Sequence, residues 1–403
     1  MRFWGITGTN GKTTTAWIFA EFVNAWGEAI RAGERVGGAE EAARRFPRCG
    51  YITTVEAFDG ARRFYTGYTT PPLAQLKEIY AAMESNGCTD CVMEVSSHAI
   101  HQNRVGFGEV TTFSGGAFTN LTEDHLDYHK TMEEYFRVKR SFAERIAEGC
   151  PGAPYAVCMD GGCGREMFEA VRGLPLDVVP VTRGTGEAGG TGGMTPVYDL
   201  SGLKLAGDYN RSNVLLAAAL AEAAGVPRDV IQETVPTLVP RWGRLEPVEN
   251  PGVKAKVYVD FAHTPDGLEK VLSAARGFTP EGGRLWVVFG AGGDRDPMKR
   301  PLMGEACARL ADCLVVTSDN PRSEDPAKII DAVVAGVDRA VARPGLVRVE
   351  PDRRDAIFFA LANAASRDVV IIAGKGHETT QEIKGVRHPF DDREVVRSFS
   401  HMV

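Results

Sequence analysis

The sequence contains no apolar run approaching the roughly 20 residues that a membrane-spanning helix requires, which argues against an integral membrane protein. Its first residues, MRFWGITGTNGKTTT, also lack the apolar core of a signal peptide, so the expected location is the cytoplasm. Cysteine is sparse and scattered, 8 in 403 residues, and in such a chain a disulfide framework is not expected. The closest pair, Cys88 and Cys91, has the spacing of a redox or metal half-site. It has no second CxxC or HxxxH partner and it opens the apolar stretch Cys91-Val92-Met93, so it is read as core. An excess of positive charge is missing too: 46 Lys+Arg against 53 Asp+Glu leave a net charge of −7. Neither nucleic acid nor a membrane surface is therefore expected as a partner, and any anionic ligand has to be held by local groups. No internal repeat is visible, and a monomer is expected.

What the chain has is length and a globular balance. At roughly 150 residues per domain, 403 residues make more than one domain, and 43% hydrophobic with 25% charged residues is the composition of a folded chain with real cores. Short apolar runs alternate with longer amphipathic segments, the signature of parallel sheets covered by helices, so the fold class is α/β. Strands are expected at 3–7 and 91–95, and helices at 13–25 and 132–146. The glycine-dense run 184–193 reads as a loop. Helices at 212–224 and 228–234 lead to Pro240-Arg241-Trp242-Gly243-Arg244, read as a hinge. Beyond it strands are expected at 257–261, 284–289, 313–317 and 368–373. The expected domains are 1–239 and 240–403.

The strongest local signal is Gly5-Ile6-Thr7-Gly8-Thr9-Asn10-Gly11-Lys12-Thr13-Thr14, between a strand and a helix. A strict GxxxxGK[ST] loop would need glycine where Ile6 stands; Gly5 comes one residue too early. The chemistry is nonetheless that of a phosphate loop. Backbone N–H groups of Gly8, Thr9, Asn10 and Gly11 can approach phosphate oxygens, the helix N-terminus faces the anion, Lys12 adds its charge, and the Thr13 hydroxyl can reach Mg²⁺, with Thr14 beside it.

The form TGTNGKTT resembles the phosphate loop of the Mur ligases and their relatives the folylpolyglutamate synthetases. The resemblance runs to about residue 395 through ordered blocks. These include Met93-Glu94-Val95-Ser96-Ser97-His98, Phe118-Thr119-Asn120-Leu121, Asp124-His125-Leu126-Asp127-Tyr128-His129 and Lys139. Past the hinge come Asp260-Phe261-Ala262-His263-Thr264-Pro265, Gly292-Gly293-Asp294-Arg295-Asp296, Asp319-Asn320-Pro321-Arg322 and Gly374-Lys375-Gly376-His377-Glu378. Together they resemble the MurE branch, which adds the third residue of the peptidoglycan stem peptide.

The resemblance implies a P-loop central domain with a mostly parallel sheet followed by a Rossmann-like C-terminal domain. It implies ATP-dependent amide formation through an acyl-phosphate, with Mg²⁺ at two positions. Catalysis would rest on Lys12, Glu94, His125 and Lys139; Thr13 and Glu94 would serve the nucleotide-bound Mg²⁺, and His125 with a carbamate on Lys139 the second ion. Thr69, Thr70, Ser96 and Arg104 match positions that contact a muramyl-dipeptide acceptor. Asn210, Asn213, Arg244, Asp260 and His263 match positions near ATP. Arg295, Asp319, Asn320, Arg322, Gly374 and Glu378 match the amino-acid pocket, where Asp-Asn-Pro-Arg marks meso-diaminopimelate users. There a guanidinium can grip the far carboxylate bidentately, while lysine would leave it unpaired.

The pattern also departs from the family. Family chains carry a uridine-diphosphate-binding domain ahead of the phosphate loop, which here begins at Gly5. That domain is therefore expected to be absent from this sequence, with three alternatives open: the chain is a fragment, a separate polypeptide supplies the domain, or the natural acceptor lacks UDP. The stretch 28–49 reads as an insertion, and Met159-Asp160-Gly161-Gly162 replaces an Asn-containing run near adenine. Two other functions stay open: a Mur-like ligase for a different carboxylate acceptor, and a catalytically silent nucleotide-binding subunit.

Overall fold

The computed structural model describes residues 1–33, 46–183, 198–340 and 345–400. The glycine-dense run 184–193 and the middle of the stretch 28–49, residues 34–45, lie outside the described residues. The chain forms two compact units, Met1–Lys204 with Tyr209–Leu238, and Leu205–Asp208 with Val239–Val403. No helix among the described residues is long and apolar enough to cross a membrane.

In the first unit the strands are β1 (Arg2–Thr7), β2 (Cys49–Ile52), β3 (Ala57–Phe58), β4 (Arg63–Phe64), β5 (Asp90–Glu94), β6 (Phe113–Phe118), β7 (Pro154–Cys158) and β8 (Asp177–Val181). They lie in the order β4-β3-β2-β5-β1-β6-β7-β8. The run from β2 through β8 is parallel, and β3 and β4 add an antiparallel edge. Central strands covered on both faces need side chains that are apolar in succession rather than in alternation. Accordingly β2 and β5 are buried along their whole length. Cys88 and Cys91 belong to this core, and burial pushes both thiols up, Cys88 to about 11.

The helix Met132–Gly149 shows how covering helices are specified. The Thr131 hydroxyl caps it by accepting from the Glu134 N–H, and Glu133 and Glu134 sit in its first turn against the positive helix end. Tyr135, Val138, Lys139, Phe142, Ala143 and Ile146 share its buried stripe at helical spacing. One member of that apolar stripe is a lysine, and the stripe carries it under the sheet. The helix predicted over 13–25 in fact runs Lys12–Arg31. Gly27 does not break it, because a side chain there would strike the Pro47 carbonyl, so glycine permits close packing. The helix predicted from 212 starts at Asp208, whose charge suits the first turn.

The second unit holds β9 (Glu246–Pro247), β10 (Lys256–Asp260), β11 (Leu285–Phe289), β12 (Cys313–Val316), β13 (Leu346–Val349) and β14 (Val369–Ala373), in the order β13-β12-β11-β14-β10-β9. All are parallel except β9, which pairs antiparallel with β10. The strands LWVVF and VVIIA of β11 and β14 are completely buried. A separate hairpin pairs β15 (Thr380–Ile383) with β16 (Val386–Pro389). Both sheets are therefore α/β with parallel strands. In each, the segments of chemical interest leave the carboxyl ends of the strands, where open parallel sheets hold ligands.

Candidate functional site

In the first unit β1 lies between β5 and β6, so Ile6 pairs with Glu94 and Thr7 with Phe118. The phosphate-type loop, Glu94 and Thr119-Asn120 thus emerge side by side. The loop is cross-braced. The Thr119 hydroxyl and the Asn120 amide both donate to the Asn10 carbonyl, at 2.6 and 3.0 Å, and the Asn10 N–H donates to Asn120 Oδ1 at 3.1 Å. Gly8 has φ +144°, and a Cβ there would stand 1.8 Å from Thr119 Oγ1, so this position requires glycine. Lys12 curls back and donates to the carbonyls of Gly8 and Thr9, at 3.0 and 2.7 Å.

Glu94 is the centre of the site and is 1% exposed. Its Oε1 accepts from the Thr13 hydroxyl at 2.7 Å and from the Thr54 N–H at 2.8 Å, and its Oε2 accepts from the Thr54 hydroxyl at 3.1 Å. The Thr54 hydroxyl also lies 3.0 Å from that of Thr69. Thr70 donates to the Glu94 carbonyl at 2.8 Å and accepts from the Ser96 N–H at 3.0 Å. Glu94 therefore links the loop threonine to Thr69 through its carboxylate and Thr54, and to Thr70 and Ser96 through its main-chain carbonyl. Thr54, which no motif marks, is the bridge. Arg104 lies apart from this network, and its Nε donates to Gln102 Oε1 at 2.7 Å.

Lys139 is 1% exposed. Its Nζ donates to the Gly8 carbonyl at 2.8 Å and lies 5.0 Å from the Tyr135 ring centroid. Burial, and then the nearby Lys12 charge, push its ammonium well below the usual lysine range. His125 occupies a left-handed position, φ 57°, at the start of a short helix, Leu126–His129, and its Nε2 is 3.6 Å from Asp124 Oδ2. Burial pulls it down to about 4 against the opposing effect of Asp124; His98, Lys12 and Lys139 lower it further. Burial thus favours the neutral form of both groups. His98 packs edge-on to His125 at 5.1 Å, and His129 stacks on Tyr135 at 5.0 Å.

Asn213 sits against the loop: its Oδ1 accepts from the Thr15 hydroxyl at 3.3 Å, and its Nδ2 donates to Asn210 Oδ1 at 3.2 Å. Asp160, in the run that departs from the family pattern, accepts from the Thr182 hydroxyl at 2.9 Å and lies 3.5 Å from the Ser212 hydroxyl.

Among the described residues, no three His, Cys, Asp or Glu converge to hold a metal ion. The Thr13 and Glu94 oxygens do fit Mg²⁺, which takes one or two carboxylates and completes its shell with water and phosphate oxygens. The Lys139 environment fits carbamate formation, because a neutral amine is the form that attacks CO₂.

On the second unit, Asp260 gives both carboxylate oxygens to backbone, accepting from Leu245 and Ala262 N–H at 2.7 Å each. Burial raises its pKa against the opposing Arg244 charge. Arg244 lies over the Phe261 ring at 4.8 Å, and His263 Nδ1 is 2.8 Å from the Phe261 carbonyl. His377 packs against the same ring at 4.9 Å, and burial pulls it down to about 3.

The remaining predicted residues gather beyond β11, β12 and β14. Asn320 Nδ2 donates to Glu378 Oε2 at 2.8 Å. Gly374 has φ +118°, and a Cβ there would meet Asp319 Oδ2 at 2.4 Å. That Oδ2 is buried and has no hydrogen-bond partner among the described residues. Arg322 donates from Nη1 to the Gly293 carbonyl at 2.6 Å, and its backbone is held by the β15 hairpin through Glu382 and Lys384. A Cβ on Gly292 would stand 3.0 Å from Arg322 Nη1 and 3.8 Å from Arg295 Cγ, so the two arginines flank one glycine. Below them Arg353 and Asp392 form an ion pair with both side chains fully buried, and Arg353 Nη2 donates to the Ala373 carbonyl at 3.0 Å. Sequence reading missed this pair and Lys375, since nothing in their local pattern marks them as interior.

Residues 6–221 match the family described as the Mur ligase middle domain, and residues 243–376 the family described as Mur ligase, glutamate ligase domain. The UDP-N-acetylmuramoyl-L-alanyl-D-glutamate--2,6-diaminopimelate ligase of Neisseria meningitidis is 36% identical over 98% of this chain and 77% of its own length. That of Thermosynechococcus vestitus is 38% identical over 98% and 76%. A solved structure of a ligase with the same name superposes with a TM-score of 0.59 at 31% identity, covering 99% of this chain and 78% of the other. The folylpolyglutamate synthase of Mycobacterium tuberculosis, at 21% identity and a TM-score of 0.61 over 93% and 88%, shares the fold.

Proposed function

The chain belongs to the Mur ligase family of ATP-dependent ligases, and on that premise we propose that it adds meso-diaminopimelate to the D-glutamate carboxylate of a muramyl-L-Ala-D-Glu acceptor in peptidoglycan synthesis. In this reading residues 1–239 bind ATP and the acceptor, and residues 240–403 bind the amino acid.

The observation that carries the reading is Glu94, which joins the Thr13 hydroxyl at 2.7 Å to the Thr54–Thr69 hydroxyls. It connects a phosphate-type loop with a polar surface suited to a peptide acceptor. Amide formation needs an activated acid, because a carboxylate oxygen is a poor leaving group at neutral pH. The acceptor carboxylate attacks the γ-phosphorus of ATP, ADP leaves, and an acyl-phosphate forms. The amino group then adds to that carbonyl, and phosphate departs with the C–O electron pair while the nitrogen gives up a proton. The Thr9 and Asn10 N–H groups, expected to face phosphate, are taken by Asn120; the other N–H groups of the loop and Lys12 orient the triphosphate and offset its charge. Asn210 and Asn213 are assigned to the nucleotide on the first unit; on the second, Arg244 and His263 hold the positions that the family resemblance assigns to ATP, and Asp260 accepts from the Leu245 and Ala262 N–H groups. Thr69, Thr70, Ser96 and Arg104 hold the acceptor.

Mg²⁺, when bound, supplies further charge neutralisation; Thr13 and Glu94 would hold one ion, and His125 with a carbamate on Lys139 a second. The depressed Lys139 ammonium supports that modification. Arg322 and Arg295 suit the far carboxylate of diaminopimelate. Asp319 and Glu378 suit its ammonium, Asn320 braces Glu378, and Gly374 leaves room beside Asp319.

The test is phosphate release from ATP. It is expected to require both a muramyl-dipeptide and meso-diaminopimelate, to be lost in Lys139→Ala, and to return in part when a short carboxylate is added. Equal use of lysine would overturn the reading of Arg322. Comparing UDP-linked with UDP-free acceptors decides whether uridine is recognised. Phosphate release with neither acceptor, nor with other peptide carboxylates, would leave only a silent nucleotide-binding chain.

A further inference from the structure

The amino-acid pocket contains a charged side chain to which the proposed reaction assigns no part. Lys375 has a side chain with 0% exposure. Its Nζ donates to Asn320 Oδ1 at 3.1 Å and to Glu378 Oε2 at 3.0 Å. Asn320 closes the triangle with its own donation to Glu378 Oε2, at 2.8 Å, and its Oδ1 also accepts from the Glu382 N–H at 2.9 Å.

Two consequences follow from donor and acceptor chemistry. The Asn320 amide can take one orientation only, because the reverse would turn its NH₂ toward an ammonium and a backbone N–H. Glu378 is tied at one oxygen by two donors. Its Oε1 makes no hydrogen bond among the described residues, and the side chain is 32% exposed. A carboxylate fixed at one oxygen and open at the other presents its acceptor in a set direction. Lys375 reaches the interior because its neighbours Gly374 and Gly376, at φ +118° and +53°, turn the backbone through conformations that other residues resist.

We propose that Lys375 is a positioning residue for amino-acid selection: without touching the substrate, its buried ammonium holds Glu378 in the geometry that receives the substrate's far ammonium, while the Glu382 N–H keeps Asn320 oriented. The lysine also balances the Glu378 charge, so that an incoming cation is not attracted unless the arginines find a carboxylate to pair with. The inference rests on reading this pocket as the diaminopimelate site.

The experiment measures initial rates of phosphate release by the full chain, with diaminopimelate, lysine and ATP each titrated. In Lys375→Met the KM for diaminopimelate is expected to rise about ten- to a hundredfold, the range found when a supporting partner of a binding group is removed. The preference for diaminopimelate over lysine should narrow, while the KM for ATP stays within about twofold and kcat falls less than KM rises. A double variant, Lys375→Met with Glu378→Gln, removes both charges together. It is expected to match Glu378→Gln alone, because the lysine acts through the carboxylate. This comparison stands even if the single variant does not fold. A wild-type chain with no response to diaminopimelate overturns the pocket reading and the inference with it. An active wild type overturns the inference alone under either of two results: an unchanged diaminopimelate KM in Lys375→Met, or a further loss in the double variant beyond Glu378→Gln.

Discussion

Where β1 begins, Arg2 and Trp4 converge on Asp90: the guanidinium Nε lies 2.8 Å from Oδ1, the indole N–H donates to the same oxygen at 2.8 Å, and the guanidinium covers the ring at 5.6 Å. Where β11 begins, Arg284 and Trp286 converge on Asp368 in the same way, with donations at 3.0 and 2.9 Å and ring coverage at 5.1 Å. Each clamp solves one problem. A buried tryptophan needs an acceptor for its N–H, and an aspartate at the amino end of the neighbouring parallel strand, first in β5 and one residue ahead of β14, supplies it, with a half-exposed arginine to balance the charge. At the opposite ends of the strands the units diverge. The first presents glycines, hydroxyls, the Glu94 carboxylate and Lys12, a set suited to phosphates and the cation that accompanies them. The second presents paired arginines and carboxylates, a set suited to a zwitterion. The amino ends of these sheets carry stability and the carboxyl ends carry chemistry.

The largest effects are expected where the units differ. Lys12→Met should lower phosphate release about a thousandfold, as loss of a group facing developing charge does, and calorimetry should show diaminopimelate binding unchanged. Arg322→Ala should raise the KM for diaminopimelate about a hundredfold and leave the KM for ATP unmoved. If either substitution impairs the other unit's ligand equally, the division of labour is wrong. Smaller effects are expected where the units agree. Asp90→Asn and Asp368→Asn should each cost about 2 kcal/mol in urea unfolding. Breaking a fully buried pair costs about 3–5 kcal/mol, but here each arginine is half in water and screened. Loss in one clamp and none in the other would mean that the likeness is only geometric.

The smallest effect concerns pH. His125 and His377, pulled down to about 4 and about 3, stay neutral in the folded chain but take up protons once unfolded, near pH 6.5. Their contribution to stability is therefore complete above pH 6.5 and erodes as pH falls toward their folded values. Urea midpoints measured at pH 7.5 and 5.5 should show the decline, and His377→Phe should flatten its share. A midpoint that rises on acidification would contradict the assigned burial.

Much of the fold was legible because parallel strands buried on both faces betray themselves as apolar runs; β1, β5, β11, β12 and β14 all lie within a residue or two of the expected ranges. The edge strands β3 and β4 were not legible, since two residues each carry no period. The phosphate-type loop was readable because its parts are consecutive in the chain. Thr54 and Lys375 were not, because each acquires its place only from a partner far along the chain, Glu94 in one case and Asn320 in the other. The repeated Arg-x-Trp clamp escaped as well, because its aspartates follow far along the chain and at unequal distances, 88 and 84 residues beyond the arginines.

The amino-acid sequence by itself determined the α/β alternation and the identity of the reactive groups, because side-chain chemistry and short spacing are written directly in the chain. Only the tertiary structure decided which of those groups are stripped of water and where they point. Lys139 and Lys12 are the same residue type, yet packing strips water from the first, whose ammonium is pushed far down, and leaves the second beside the loop it neutralises. Desolvation depends on what the rest of the fold brings around a side chain, and local sequence does not contain that information.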